Sequence, residues 1–205
     1  MTNHVISHLT LRKVIGILGM SLAGLCVLGG ILFGTGNVEG SISAYYLTNM
    51  RDLFVGVLIA SGVFLLTYTG YDATDNILSN IAGSAAISIA IFPMDYVAPG
   101  NILNLQVPTV AILHYISAAV FFITLAYMSY FQFTKGASNT KRKQQRNMIY
   151  RGSGIIIFGC LVLAALRLLS PTVGGQYGTL IIETIMLLAF GIAWFVKGEA
   201  ILTDK

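Results

Sequence analysis

Apolar residues form six long runs along this chain, and short polar segments separate them. The runs cover 14–33, 53–69, 77–93, 107–131, 149–169 and 179–196. The hydrocarbon core of a bilayer, about 30 Å thick, requires roughly 17–25 helical residues per crossing. Lipid offers the backbone no hydrogen-bond partners, and the ten-residue alternation of a β-barrel is absent. The pattern therefore predicts an all-α, six-transmembrane-helix bundle, formed by residues 1–205 as a single domain.

The basic residues predict the orientation of these helices. The termini and the segments 70–76 and 134–151, which six crossings place on one side, hold ten of the twelve Lys and Arg residues. Short cytoplasmic segments are enriched in Lys and Arg, so both termini are expected in the cytoplasm. The first run follows Arg12 and Lys13 as a signal peptide would, but its length and the lack of a small-residue cleavage motif predict an anchor. We expect a multi-pass protein of the plasma (inner) membrane.

Composition supports a membrane location and disfavours a nucleic-acid partner. Hydrophobic residues make up 56% of the chain, charged residues 10%, and the mean hydropathy is +0.79. The net charge of +4 comes from short segments between apolar runs and not from a basic stripe. The basic stretch 135–151 is interpreted as a topology signal, with binding to anionic lipid head groups as the alternative. Cys26 and Cys160 lie inside apolar runs and are expected to pack as small hydrophobic residues.

Small residues spaced four apart mark helix faces that allow close packing in lipid. Gly30 and Gly34 form a GxxxG pattern in the first run, and Ala82, Ala86 and Ala90 line the third. These faces predict either packing within the chain or a homo-oligomer.

The ionisable residues inside the runs predict the candidate site, because a charged group in a membrane span is costly. Glu183, His114 and Arg167 all fall in the predicted outer half of the bilayer. The same side receives the loop 37–52. We predict an outward-facing pocket with His114 and Glu183 as acid or base if chemistry occurs there. The predicted ligand-binding residues are Ser43, Tyr45, Tyr46, Arg51, Asp52, Asp95 and Arg167. The structural alternative is a pair of ion pairs, in which Arg51 or Arg167 meets Glu183 or Asp52.

The remaining polar residues do not predict a further ligand or metal site. Asp72 and Asp75 fit a turn between two helices, with Asp75 as the expected N-cap of the second. His4 and His8 supply too few ligands for a zinc site, so no metal is expected. No nucleotide-binding loop or hydrolase motif occurs in the sequence, and no cofactor is predicted.

Several segments together resemble an uncharacterised bacterial family of six-span integral membrane proteins. They are SISAYYLTNMRDLFVGVL, YTGYDATDN, HYISAAVFFITLAYMSYF and AFGIAWFVKGE. The resemblance implies a six-span architecture in which Ser43, Tyr45, Tyr46, Arg51, Asp52, His114 and Glu183 belong to the family pattern. The chain is more loosely similar to the superfamily of alkaline ceramidases and progestin and adipoQ receptors. Ser43, Asp52 and His114 resemble part of its zinc site, but no histidine follows His114.

The leading functional prediction is a membrane protein whose outward-facing pocket binds, and in one version modifies, a lipid or other amphiphile. Arg51 and Arg167 would then meet an anionic head group. One alternative is a small proton- or ion-coupled transporter or channel, which the apolar inner halves of the second, fifth and sixth runs disfavour. Another is a partner-binding membrane subunit without catalysis. The sequence leaves open whether the protein is an enzyme.

Overall fold

The computed structural model describes residues 7–34, 36–94, 107–169 and 174–203, and every regular element in these ranges is helical. Six long helices correspond to the six apolar runs. They are α1 (His8–Phe33), α2 (Arg51–Leu66), α3 (Ala73–Ile91), α4 (Val107–Tyr127), α5 (Lys141–Leu169) and α6 (Gly178–Lys197). A short 3-10 helix, Ser43–Leu47, precedes α2, and a π-helical segment, Met128–Gln132, continues α4.

The six helices form a closed ring. Each helix packs against the next along the chain, and α6 packs against α1. Buried apolar side chains fill the interior; Ile15, Leu65, Phe121, Leu125 and Trp194 are among them. The 3-10 helix and the start of α6 lie at one end, the Ser43 end, whereas the start of α1 and the end of α6 lie at the other, the Lys197 end.

Glycines allow two pairs of neighbouring helices to approach at backbone distance. A Cβ placed on Gly16 of α1 would lie 2.6 Å from the backbone nitrogen of Phe195 and 2.8 Å from the carbonyl oxygen of Gly191. A Cβ on Gly62 of α2 would lie 2.8 Å from the carbonyl oxygen of Gly83 on α3. Close backbone contact through small residues is the usual way in which helices associate in lipid.

The predicted small-residue faces have different surroundings. Gly30 packs against the ring of Tyr45, so this glycine accommodates a side chain of its own chain. The Ala82 and Ala86 side chains of α3 are buried within the ring. A second face of α3, carrying Asn80, Ser84 and Ser88, borders an open groove of about 510 Å³ between α3 and α4. Association of two copies of the chain through a small-residue face stays a prediction.

The outer surface of the ring is apolar on all six helices. Leu28, Ile59, Ile81, Ile112 and Phe158 are exposed examples, and α6 adds Ile181. Exposed apolar surface of this extent is typical of contact with lipid. Among the described residues, four helical stretches are long and apolar enough to cross a membrane: His8–Phe33, Thr109–Gln132, Lys141–Arg167 and Gly178–Lys197. The all-helical fold is confirmed for these residues, and the four stretches are typical of a membrane protein.

Two local predictions differ from the structure. The N-cap of α3 is Asp72 and not Asp75: the Asp72 carboxylate accepts a hydrogen bond from the Asp75 amide at 2.9 Å. The Asp75 carboxylate in turn accepts one from the Tyr71 amide at 2.9 Å, which makes a reciprocal cap. The fifth helix also begins earlier than the predicted run 149–169. α5 starts at Lys141, so part of the basic stretch 135–151 is helical. The Thr140 hydroxyl, one residue before this start, accepts a hydrogen bond from the Lys143 amide.

Candidate functional site

The 3-10 helix Ser43–Leu47 lies at the Ser43 end of the ring and brings the loop between α1 and α2 into the core. Ile42, Ser43 and Tyr45 are buried there. The amide of Leu180 on α6 donates to the carbonyl oxygen of Gly40 at 2.9 Å, which fixes the loop against the start of α6. The first amides of a helix have no partner within the helix, so a buried start requires an external acceptor.

Glu183 supplies the acceptor for the buried start of the 3-10 helix. Its Oε2 atom accepts a hydrogen bond from the Ile42 amide at 2.5 Å, and the carboxylate also interacts with the Ser43 amide. A carboxylate at a helix N-terminus compensates both the unpaired amides and the positive end of the helix dipole. Glu183 therefore joins α6 to the 3-10 helix and places a carboxyl group in an otherwise apolar region.

His114 of α4 lies on the other side of Ser43 and is 3% exposed. Its Nδ1 atom is 2.6 Å from the carbonyl oxygen of Phe92, which can only accept a hydrogen bond. Nδ1 therefore carries the proton, and the Nε2 atom of a neutral ring is an acceptor. The Ser43 hydroxyl, 3.1 Å from Nε2, is then the donor. These two hydrogen bonds, from Ser43 to His114 and from His114 to Phe92, fix the orientation of the imidazole ring and of the Ser43 hydroxyl.

A cavity of about 40 Å³ opens beside these groups in the middle of the ring. Of the described residues that line it, Ser43 and Glu183 are polar. The apolar lining comes from five of the helices and from Ile42: Leu22, Phe54, Leu58, Ile89, Ala118, Phe121, Phe122 and Leu187. A space of this size holds a water molecule or a small polar group. The cavity is thus apolar with one polar end.

The geometry favours binding of a polar group over acyl transfer. A serine hydroxyl that donates to a fixed imidazole has the arrangement of a nucleophile and its base. Acyl transfer also requires free N–H donors for the developing oxyanion. The amides closest to Ser43 already interact with Glu183. What this site offers a ligand is two acceptors: the Glu183 carboxylate and the oxygen of the Ser43 hydroxyl, whose O–H is already donated to His114.

The predicted site residues fall into two groups. Ser43, His114 and Glu183 come together at the cavity. Tyr45 is fully buried but packs on Gly30, and its hydroxyl accepts a hydrogen bond from the Glu39 amide at 3.3 Å. It supports the 3-10 helix and does not line the cavity.

The other predicted residues lie away from the cavity. Arg51 is exposed; it stacks on the Tyr46 ring at 4.6 Å and donates to the Tyr46 hydroxyl at 3.0 Å. Asp52 is exposed in the first turn of α2. Arg167 donates to the Thr179 hydroxyl at 3.0 Å and to the Gly175 carbonyl oxygen at 3.1 Å, so it holds the end of α5 to the start of α6. Asp95 lies outside the described residues.

A second group of polar residues lies at the Lys197 end, where no pattern in the sequence predicts a site. This Lys197 cluster consists of the exposed Tyr71 and of five buried residues: Arg12, Tyr68, Asp75, Tyr150 and Lys197. The positive-inside rule assigns Arg12 and Lys197 to short cytoplasmic segments. That rule does not predict that both side chains are buried, as the structure shows them.

Metal binding finds no support in the described ranges, where no group of three or more His, Cys, Asp or Glu side chains is arranged to hold an ion. Comparison of the chain with protein-family models, with curated proteins and with solved structures gave no match. The resemblance to a bacterial six-span family therefore stays a prediction.

Proposed function

We propose that this chain is a multi-pass plasma-membrane protein that crosses the bilayer six times and binds a small-headed amphiphile in its central cavity. The observation that carries the proposal is the cavity itself: apolar walls from five helices, with Ser43, Glu183 and the Ser43-bound His114 at one end. A space of about 40 Å³ suits the single hydrogen-bonding group of such an amphiphile, and the apolar body would extend from it between the helices.

Four long apolar helices, together with α2 and α3, support the proposal of six crossings. α2 has 16 residues and α3 has 19, which correspond to roughly 24 and 29 Å of helix. Both expose apolar side chains outward, such as Ile59 and Ile77. Both also pack between helices that are long enough to span. The distribution of Lys and Arg then favours cytoplasmic termini, which places the Ser43 end outside.

The head group is expected to be small and uncharged. About 40 Å³ admits a hydroxyl or an amide but not a phosphate ester with its substituents. A ligand carboxylate beside Glu183 would meet like charge in an apolar environment. A ligand hydroxyl can donate to Glu183 or to the Ser43 oxygen, whose own O–H is bonded to His114. Long-chain alcohols, and monoacylglycerols through one terminal hydroxyl, are therefore the expected ligand class.

Native mass spectrometry of the purified protein with added monoacylglycerol tests this proposal. We expect a bound monoacylglycerol on the wild type and on Glu39→Gln, a variant at the same end of the ring but outside the cavity. Glu183→Ala and the double variant Ser43→Ala/His114→Ala should retain at least tenfold less, because each removes hydrogen-bond partners of the head group. Equal retention by all variants would remove the reason for placing the ligand here.

A transporter or channel is the second candidate, and the Lys197 cluster is the observation that favours it. Buried charged groups occur at both ends of the ring. Aromatic side chains lie between them: Phe121, which lines the cavity, is 5.8 Å from Phe190, and Phe190 is 6.3 Å from Trp194 (ring centroids). Ion or proton flux into liposomes that is lost in Glu183→Gln would favour this candidate over static binding.

A further inference from the structure

An open groove of about 440 Å³, the Arg151 groove, runs along α5 at the Lys197 end of the ring. One wall is Ser138 of the loop before α5. The other lining residues recur every three or four positions on α5 and so share one side of the helix: Gln144, Asn147, Met148, Arg151, Gly152 and Ile155. Met148 is 72% and Ile155 61% exposed, so no other helix of the ring covers these two side chains.

The lining of the Arg151 groove changes from polar to apolar along the helix. Gln144 and Asn147 lie in the first turns of α5, Arg151 follows one turn later, and Ile155 belongs to the apolar part of the helix. The Arg151 guanidinium lies 6.0 Å from the ring centroid of Tyr130. Exposed arginine and tyrosine next to an apolar surface are typical of the boundary between lipid head groups and hydrocarbon.

Arg151 supplies the charge of this groove, and no carboxylate among the described lining residues balances it. The acidic side chains described at this end lie outside the groove: Asp72, Asp75 and Glu199. Lys143 and Arg146 lie outside it as well, and both donate to backbone carbonyl oxygens, so neither is counted here. The groove thus offers an anion one exposed guanidinium, whose planar fork of donors suits a phosphate.

Asn147 adds an unpaired acceptor to the same groove. Its Nδ2 atom donates to the Ser138 hydroxyl at 2.9 Å, and the Gln144 side chain donates to the Ser138 carbonyl oxygen at 3.3 Å. The Asn147 Oδ1 atom is buried without a hydrogen-bond donor among the described residues. Buried polar atoms normally have a partner. A hydroxyl would supply this donor and a phosphate would not, so a ligand that carries both groups matches Arg151 and Asn147.

We propose that the Arg151 groove binds the head group of an anionic phospholipid of the phosphatidylglycerol type. The phosphate meets Arg151, a glycerol hydroxyl donates to Asn147, and the apolar part of the lipid packs on Ile155. The basic stretch 135–151 then has a defined lipid site in addition to its role in topology. The inference rests on the membrane crossing of α5 in the proposed function, but not on the cavity at the Ser43 end.

Native mass spectrometry of the detergent-solubilised protein measures this binding with three lipids of equal acyl chains. Phosphatidylglycerol should form a saturable adduct at a concentration at least tenfold lower than phosphatidylcholine, whose head group has no net charge. Phosphatidylmethanol has the charge of phosphatidylglycerol but no head-group hydroxyl, and it should bind between the two. Equal binding of phosphatidylglycerol and phosphatidylcholine would overturn the proposal. Equal binding of the two anionic lipids would overturn the pairing of the hydroxyl with Asn147.

Two arginine variants separate the groove from the general charge of the basic stretch. Arg151→Gln should weaken the binding of phosphatidylglycerol at least tenfold, because it removes the guanidinium that meets the phosphate. Arg142→Gln removes one exposed charge from the same stretch but outside the groove, and it should leave the affinity within about twofold. Equal effects of the two variants would overturn the proposal.

Gly152→Leu tests the groove without a change in charge. A Cβ on Gly152 would have nothing within 4 Å, so a side chain there has room to fill the groove that this residue lines. It should weaken the binding of phosphatidylglycerol at least tenfold. Gly159→Leu is the matched control, because a Cβ there also meets nothing within 4 Å and Gly159 does not line the groove.

Unchanged binding to Gly152→Leu would overturn the proposal even if Arg151→Gln does not fold. Both groove variants should retain monoacylglycerol as the wild type does, since neither residue lines the cavity at the Ser43 end. Failure of this site and failure of the cavity are therefore distinguishable.

Discussion

At the scale of single residues, Glu183 has a structural role that can be tested without any ligand. Its carboxylate accepts a hydrogen bond from the Ile42 amide and interacts with the Ser43 amide, both at the start of the 3-10 helix. Glu183→Ala leaves those amides unpaired and should lower the free energy of unfolding by about 1–3 kcal/mol. Glu183→Gln retains an acceptor oxygen and should lose less. Thermal unfolding in detergent measures both; equal losses would contradict this role.

The ion pair between Asp72 and Lys135 predicts a pH dependence outside the membrane-spanning segments. The Lys135 ammonium, 2.6 Å from the carboxylate, lowers the pKa of Asp72, and Asp72 raises the pKa of Lys135. A lowered carboxyl pKa stabilises the fold above the ordinary Asp range, and this contribution is lost as the pH falls through the folded-state value. The raised lysine pKa contributes below the ordinary Lys range and is lost in strong alkali.

Lys135→Gln should therefore melt below the wild type at about pH 7, and the difference should shrink towards zero at about pH 3. Both residues are largely solvent-accessible, so the difference is expected to be small and to decrease with salt. Lys141→Gln serves as the control because Lys141 is exposed at the start of α5. A difference that does not change between the two pH values would refute the pair as its cause.

The sequence predicted candidate-site residues best where polarity was unexpected. His114 and Glu183 stand out because each interrupts an apolar run, and the structure brings both to Ser43. Arg51 and Arg167 carried the same signal but have partners in Tyr46, Thr179 and Gly175. A sequence gives the cost of a buried charge but not the partner that compensates it. Arg12 and Lys197 were missed because basic residues next to a run already fit the topology rule.

At the scale of helices, the crossing of α1 and α6 depends on the absence of a side chain at Gly16. A Cβ there would lie within 3 Å of three backbone atoms of α6, which cannot rotate away. Gly16→Ala should therefore lower the free energy of unfolding by about 1–3 kcal/mol. A Cβ on Gly24, on the same helix, would have nothing within 4 Å, so Gly24→Ala should be neutral or stabilising by up to about 1 kcal/mol. Similar melting temperatures for the two variants would contradict the packing.

Helix positions were largely predictable, whereas the contacts between helices were not. All six apolar runs correspond to helices because hydrophobic length is a local property. The 3-10 helix depends on a carboxylate 141 residues away, which no local pattern reveals. The crossings at Gly16 and Gly62 lacked a GxxxG signal, and the Gly30 of the GxxxG pattern accommodates Tyr45. Tertiary contact decides which small residues are used.

At the scale of the whole molecule, the proposed six crossings would place the two ends of the ring on opposite sides of the membrane. Gln176 lies at the Ser43 end and Gln145 at the Lys197 end, and both are exposed. Gln176→Cys should react with a membrane-impermeant maleimide in intact, right-side-out vesicles, and Gln145→Cys only after permeabilisation. The native cysteines are buried, so the wild type is the unlabelled control. Labelling of both variants from the same side would exclude this topology.

The cavity at the Ser43 end is the feature on which the proposed ligand binding depends. Its contents can be determined from the density inside the ring of the nanodisc-embedded protein with monoacylglycerol present. We expect continuous density that begins within hydrogen-bond distance of Ser43 and Glu183 and extends between Leu58, Phe121 and Leu187. A cavity that holds only water, with the amphiphile confined to the outer surface of the ring, would contradict ligand binding at this site.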